Sequence, residues 1–156
     1  MCIFCDIRDD RIEGLKVSTE FESYILLDKF PVSPGHILIV SNQHGEFLAD
    51  VSDSVKTKML NLASRLTDNM KKNNTKILGF NIIINDGKHA GQHIPHLHMH
   101  LVPRYKYDRL SLLFRFLTSR LNPRNYFSKS KTKLSFYLQV QEAVVAMSQP
   151  CVTKCN

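Results

Sequence analysis

The chain has 156 residues, 43% of them hydrophobic, which suits one well-buried core and is too short for two ordinary domains. No apolar run approaches the roughly 20 residues that span a bilayer, and no basic-plus-apolar leader opens the sequence, so we expect a soluble, cytoplasmic protein without a membrane partner. The net charge of +7 is concentrated in residues 104–156, which hold ten Lys or Arg and two acidic residues. Such a tail suits an anionic substrate, nucleic acid or a membrane surface, or is a solubilising surface without a partner.

Three strands are predicted in the first 40 residues. A short extended piece at residues 15–18 leads to a strand over residues 21–27. Two prolines and a glycine in residues 28–35 end that strand, and the largely apolar residues 36–40 predict the third.

A helix is predicted to begin near Ser52, and Ser52 or Ser54 can cap it. Five apolar residues recur at three-to-four spacing: Val55, Met59, Leu62, Leu66 and Met70. Asn73-Asn74 ends this pattern. Residues 79–85 form a fourth strand, and a polar loop over residues 86–92 leads to the last one. This order predicts an α+β fold, a mainly antiparallel sheet with a crossover helix.

In the last strand, three histidines alternate with apolar residues. His96, His98 and His100 would share one face, while Leu97, Met99 and Leu101 would pack into the core from the other. The outer histidines would lie ~13 Å apart along the strand, too far to chelate one ion together. A solvated polar face is the plainer interpretation, but imidazoles titrate near neutrality and supply both nucleophiles and proton donors.

The four cysteines form two spaced pairs at opposite ends of the chain, Cys2-x-x-Cys5 and Cys151-x3-Cys155. In a chain without a leader, this indicates metal ligands or free thiols over structural disulfides. For Cys151 and Cys155, which have no histidines nearby in sequence, we expect free thiols.

An amphipathic helix is predicted between Leu110 and Leu121, with arginines around an apolar stripe and Asn122-Pro123 after it. We favour a helix that packs on the domain over one whose exposed face binds a substrate or a partner. We therefore expect a domain over residues 1–104 and a basic C-terminal extension, residues 105–156, packing on or beside it.

Together, three motifs resemble the histidine-triad (HIT) family of nucleotide hydrolases and transferases. They are the N-terminal Cys2-Ile-Phe-Cys5 segment, Pro34-Gly35-His36 before a strand, and Ala90-Gly91-Gln92 followed by the histidine row. Their order and spacing make the signal specific, and it covers residues 1–104.

The resemblance implies a HIT-like fold with a five-stranded antiparallel sheet, usually paired into a homodimer. It also implies that His98 attacks the α-phosphorus of a dinucleoside polyphosphate or nucleoside phosphoramidate, forming a nucleotidyl-histidine that water hydrolyses. His36 and His100 would donate to the phosphate oxygens, and a backbone carbonyl would leave Nε2 of His98 free.

Four further residues match substrate-binding positions of the family. Asp28 corresponds to the residue that accepts hydrogen bonds from ribose hydroxyls, and Asn85 and Gln92 correspond to polar positions lining the phosphate pocket. His93 departs from the Ser or Thr that is frequent at its position. It can also donate, but with a pH-dependent charge. Loop-starting and strand-end polar residues are the plainer interpretation of these positions.

The resemblance to zinc-containing, bacterial-like members implies a metal site. Cys2, Cys5, His44 and His96 would bind a structural zinc ion that pins the N-terminus to the sheet. No catalytic metal is expected from the resemblance.

Two classes of function remain open from the sequence. The first is a nucleotide hydrolase acting on a purine nucleotide or dinucleoside polyphosphate. The second is a non-catalytic nucleotide or nucleic-acid binding module that uses the basic tail. A catalytic zinc on adjacent histidines is a third hypothesis.

Overall fold

Five strands form one sheet in the computed structural model, which describes residues 2–18, 21–106, 108, 137, 138, 140–142, 144 and 145. They are β1 (Lys16–Ser18), β2 (Ser23–Leu27), β3 (Ile37–Ser41), β4 (Gly79–Ile84) and β5 (His98–Arg104). Their order across the sheet is β1-β2-β3-β5-β4, and every neighbouring pair is antiparallel. The predicted α+β class and five-stranded sheet are confirmed.

The crossover helix, α2, spans Asp53–Asn73 and joins β3 to β4. Ser52 caps it, because its hydroxyl oxygen accepts a hydrogen bond from the Val55 N–H at 3.3 Å. All five apolar residues that predicted this helix are buried. Since β3 and β4 both run antiparallel to β5, they are parallel to each other, and a crossover connection is required.

The sheet is covered on both faces. On one face, α2 packs on Ile25, Ile37 and Ile39 and on the apolar side of β5. On the other, a short helix that the sequence did not predict, α1 (Ile3–Arg8), brings Phe4 and Ile7 against Tyr24 and neighbouring strand residues. The first turns of the chain therefore form a second, smaller core.

Part of the C-terminal extension contacts the sheet domain. Val140 is fully buried in the larger core, and the Tyr137 hydroxyl donates to the Lys16 carbonyl at 3.2 Å. The helix predicted between Leu110 and Leu121 and the Cys151 and Cys155 pair lie outside the described residues. Within the described part of the chain, no helix combines the length and apolar character needed to cross a membrane.

Candidate active site and metal centre

Two of the three alternating histidines lie on β5, on the face that α1 covers. His98 pairs with Val40 and His100 with Leu38, both of which belong to the smaller core. The sequence predicted that His96 shares this strand, but β5 begins only at His98. His96 instead follows Pro95, which has no N–H, and donates its own N–H locally to Ile94 O at 2.8 Å.

The tautomer of His98 is fixed by the backbone. Its Nδ1 lies 2.7 Å from the carbonyl oxygen of His96, and a carbonyl can only accept, so Nδ1 carries the proton and donates. The lone pair is therefore on Nε2. Burial lowers the pKa of His98, partly offset by this hydrogen bond and the charge of Asp28, which favours the neutral ring with its lone pair on Nε2.

His36 and His100 form a hydrogen-bonded pair beside His98. The Val32 N–H donates to Nδ1 of His36 at 3.4 Å, so the neutral ring carries its proton on Nε2 and donates to Nδ1 of His100 at 3.0 Å. This leaves Nε2–H of His100 as a donor for an anion, whereas the Nε2–H of His36, which was also expected to donate to phosphate, is taken up by His100. Burial lowers the pKa of His36, and burial with nearby histidine charges lowers that of His100 to about 3.

Asp28 places a negative charge next to this pair. Its Oδ2 lies 3.4 Å from Nδ1 of His36 and 4.0 Å from Nδ1 of His100, while its Oδ1 accepts from the Phe30 N–H at 2.7 Å. An ion pair with His36 would require that ring to be protonated, which its burial opposes. The ribose contact expected of Asp28 stays a prediction.

Gln92 anchors the loop that leads to the histidines. Its side chain is buried, with Oε1 accepting from the Gly87 N–H at 2.6 Å and Nε2 donating to the Glu46 carbonyl at 2.7 Å. The oxygen and the nitrogen of the side-chain amide are therefore both hydrogen-bonded to backbone groups. A substrate contact through Gln92 stays a prediction.

Asn85 and His93 lie at the two ends of the same loop. Asn85 follows β4 and is half-buried, and a Cβ added to Gly91 would lie 3.9 Å from its Nδ2. His93 is exposed, and its charge contributes to lowering the pKa of both His98 and His100, which places it near the pair. Their substrate contacts also stay predictions.

Two cysteines and two histidines converge next to His98. The ligand atoms of Cys2, Cys5, His44 and His96 all lie within 4.8 Å of one another. Nδ1 of His96 is 3.3 Å from the sulfur of Cys2, 3.6 Å from that of Cys5 and 3.2 Å from Nδ1 of His44. In a tetrahedral zinc site the corresponding edges are about 3.3 Å between two nitrogens and about 3.6 Å between nitrogen and sulfur, so the cluster fits such an ion.

The chemistry of the donors fits a metal as well. Nε2–H of His96 donates to the Ser41 carbonyl at 2.8 Å, which leaves Nδ1 of the same ring free to bind an ion. Burial, with the adjacent Cys2, raises the pKa of Cys5, and a bound cation would stabilise both thiolates. The four residues are thus a candidate metal site.

Sequence reasoning missed Phe4 and Ser41 at this centre. Phe4 lies between the two cysteines, and its ring contacts those of His96 and His98. Its position inside the Cys-x-x-Cys segment was the available signal. Ser41 contributes only its carbonyl, so its side-chain identity gave none.

Comparisons with known proteins identify the family that the chain resembles in sequence and fold. The HIT domain family model matches residues 10–107. An uncharacterized HIT-like protein of Saccharolobus solfataricus is 34% identical over 145 residues, covering 93% of this chain and 96% of its own. An adenosine 5'-monophosphoramidase of Saccharomyces cerevisiae is 37% identical over 103 residues, covering 66% of this chain and 62% of its own. A zinc-bound histidine triad family protein of Mycobacterium smegmatis has a similar fold, with a TM-score of 0.74, 24% identity and 94% of each chain covered.

The chain belongs to the histidine-triad (HIT) family. The family model spans the strands, the crossover helix and all of the triad, so the resemblance found in the motifs is confirmed.

Proposed function

We propose that this protein is a nucleotide hydrolase that cleaves dinucleoside polyphosphates or nucleoside phosphoramidates at the α-phosphate. The observation that carries the proposal is the hydrogen bond from Nδ1 of His98 to the His96 carbonyl, which leaves a neutral Nε2 as nucleophile. The names of three yeast relatives support it, because each is an adenosine 5'-monophosphoramidase.

The reaction takes two displacements. In the first, Nε2 of His98 attacks the α-phosphorus, and the bond from phosphorus to the leaving oxygen or nitrogen breaks with its electron pair on the leaving group, which takes up a proton. In the second, water attacks the same phosphorus and loses a proton, which balances the proton taken up by the leaving group, and the bond from phosphorus to Nε2 breaks with its pair returning to Nε2. The products are a nucleoside monophosphate and the protonated leaving group.

His100 and His36 would stabilise charge on the phosphate. Nε2–H of His100 would donate to a phosphate oxygen, and a site that excludes water would strengthen such a bond. The hydrogen bond between His36 and His100 supports this role, because it leaves Nε2–H of His100 free. Four residues would complete the substrate site. Asp28 would contact the ribose, and Asn85, Gln92 and His93 would lie around the phosphates and the leaving group.

The metal centre would hold a structural zinc ion on Cys2, Cys5, His44 and His96. Four protein ligands close a tetrahedral site, so the ion would anchor the N-terminus and leave no position for substrate. A reducing cytoplasm keeps such thiols available as ligands. The bond-breaking steps assign no catalytic role to a metal.

A homodimer is part of the proposal. Among the described residues, β4 pairs with β5 alone, and Leu78 and Ile82 at this edge are 65% and 45% exposed. Pairing of two β4 edges would continue the sheet and cover these side chains. Light scattering should give twice the chain mass, and Ile82→Lys should lower it toward the monomer.

A hydrolysis panel tests the function. Diadenosine polyphosphates, adenosine phosphoramidate and capped or adenylylated nucleic acids are incubated with wild type, with His98→Asn and with His89→Asn, a matched change at an exposed loop histidine. We expect turnover of at least one nucleotide, lowered about 10³-fold or more by His98→Asn and unchanged by His89→Asn. Tight nucleotide binding without turnover would contradict the proposal and favour the binding module.

A further inference from the structure

His96 connects the metal centre to the nucleophile through a single buried residue. Its Nδ1 faces the cysteines and His44, and its Nε2–H donates to Ser41 O. Its carbonyl oxygen accepts a hydrogen bond from Nδ1–H of His98. The residue is 0% exposed, so its ring and its backbone have little room to move independently. A shift of the ring therefore moves the carbonyl that selects the tautomer of His98.

Phe4 makes a second connection between the same two sites. It lies between Cys2 and Cys5, and its ring meets the His98 ring edge-on, with centroids 5.1 Å apart and planes at 69°. The ring of His100 also meets the His98 ring edge-on, with centroids 5.0 Å apart. The backbone of Phe4 is fixed as well, because the Tyr24 hydroxyl donates to the Phe4 carbonyl at 2.7 Å.

These two contacts restrain different motions of His98. The hydrogen bond to the His96 carbonyl fixes one ring nitrogen but leaves rotation about that bond. The rings of Phe4 and His100 restrict that rotation by contact. Cys2 and Cys5 flank Phe4 in α1 and its N-cap, so whatever fixes the two thiols also fixes the Phe4 ring.

We propose that the N-terminal turn, residues 2–8, is a positioning device for the nucleophile as well as an anchor for the chain. When a metal ion joins Cys2 and Cys5 to His44 and His96, Phe4 and the His96 carbonyl hold His98 with Nε2 directed at the α-phosphorus. Phe4 is thus a positioning residue. The inference rests on the proposed function and adds that the state of the metal site controls how well the nucleophile is oriented.

The first test is Phe4→Leu in the full-length, zinc-loaded protein. Leucine keeps an apolar side chain in the core but removes the ring that contacts His98. We expect kcat to fall about 10- to 100-fold with KM changed less than about threefold, while zinc content stays at the wild-type level. Ile7→Val is the matched control: it trims the same helix and the same small core, and should leave kcat unchanged.

The second readout is independent of turnover. Nitrogen-15 NMR, with the His98 signal identified by its loss in His98→Asn, reports which ring nitrogen carries the proton. Zinc-loaded wild type should show the single Nδ1–H form. In Phe4→Leu the His98 ring is free to turn out of line with the His96 carbonyl, and in wild type stripped by a chelator the carbonyl itself is free to move. Both should therefore show exchange between the two forms. Adding zinc back to stripped protein should restore the single form.

The outcomes separate the two proposals. If Phe4→Leu loses stability but keeps both kcat and the single tautomer, the turn is only an anchor and the inference is overturned. If stripping unfolds the protein, the zinc-loaded Phe4→Leu result decides alone. If Phe4→Leu disturbs the tautomer in a protein that hydrolyses nothing, the positioning stands and the proposed function fails.

Discussion

Acidification should destabilise this protein through His100, which the fold keeps uncharged. Its pKa is about 3 in the folded chain, because of burial and then the charges of His36, His98 and His93, against 6.5 for an ordinary histidine. The unfolded chain therefore binds one more proton than the folded one between these values, and the free energy of unfolding falls as the pH falls. The slope is about 1.4 kcal/mol per pH unit, which gives about 3 kcal/mol between pH 6.5 and pH 4.

Urea unfolding followed at half-unit steps from pH 8 to pH 4 measures this effect. His100→Asn is the control, since it removes this one titrating group and shares every other, including the candidate metal ligands. Wild type should lose about 3 kcal/mol more than the variant over that range, and the two should run parallel above pH 7. Parallel curves over the whole range would refute the assignment of a neutral, half-buried His100.

Three further changes test the helix, the core and the metal centre. Ser52→Ala removes the hydroxyl that accepts from Val55 and should cost about 1 kcal/mol in urea unfolding, with a change under about 0.3 kcal/mol counting against the cap. Leu66→Ala, at a fully buried position of α2, should cost about 2–5 kcal/mol, and a value below 1 kcal/mol would contradict the packing described. Zinc chelation should lower the melting temperature of wild type but not of Cys5→Ser, so an equal drop in both would argue against this metal site.

The main strands and the long helix could be predicted because their burial is periodic and their ends carry strong local signals. The five apolar positions of α2 recur at helical spacing, and Ser52 caps it as expected. The two prolines and glycine of residues 28–35 separate β2 from β3. For such elements, one face must be apolar, so the sequence itself carries the period.

Other features depend on contacts between distant parts of the chain. Helix α1 has six residues, too few for a period to stand out, and it is stabilised by packing on Tyr24 and Leu26. The alternation around His96 predicted a strand residue, whereas the structure places His96 before β5, with its ring on the Ser41 carbonyl. Alternation describes which side chains are buried and does not establish backbone pairing.

The candidate site divides between these two cases. The sequence motifs led to His98, His100 and His36 and to the four residues of the candidate metal centre, which the structure brings together in two adjacent groups. The role of Phe4 could not be read from them, because it depends on a ring contact across the small core. The substrate contacts of Asp28, Asn85, Gln92 and His93 stay predictions.

The central claim is that Nε2 of His98 is the nucleophile, and trapping its adduct tests this most directly. Wild type is mixed with adenosine phosphoramidate or a diadenosine polyphosphate, quenched within milliseconds to seconds, and digested for mass spectrometry under conditions that preserve P–N bonds. The account predicts an adenylyl group on the peptide that carries His98, absent from His98→Asn. Steady turnover with no adduct on that peptide, or an adduct on another histidine, would contradict it.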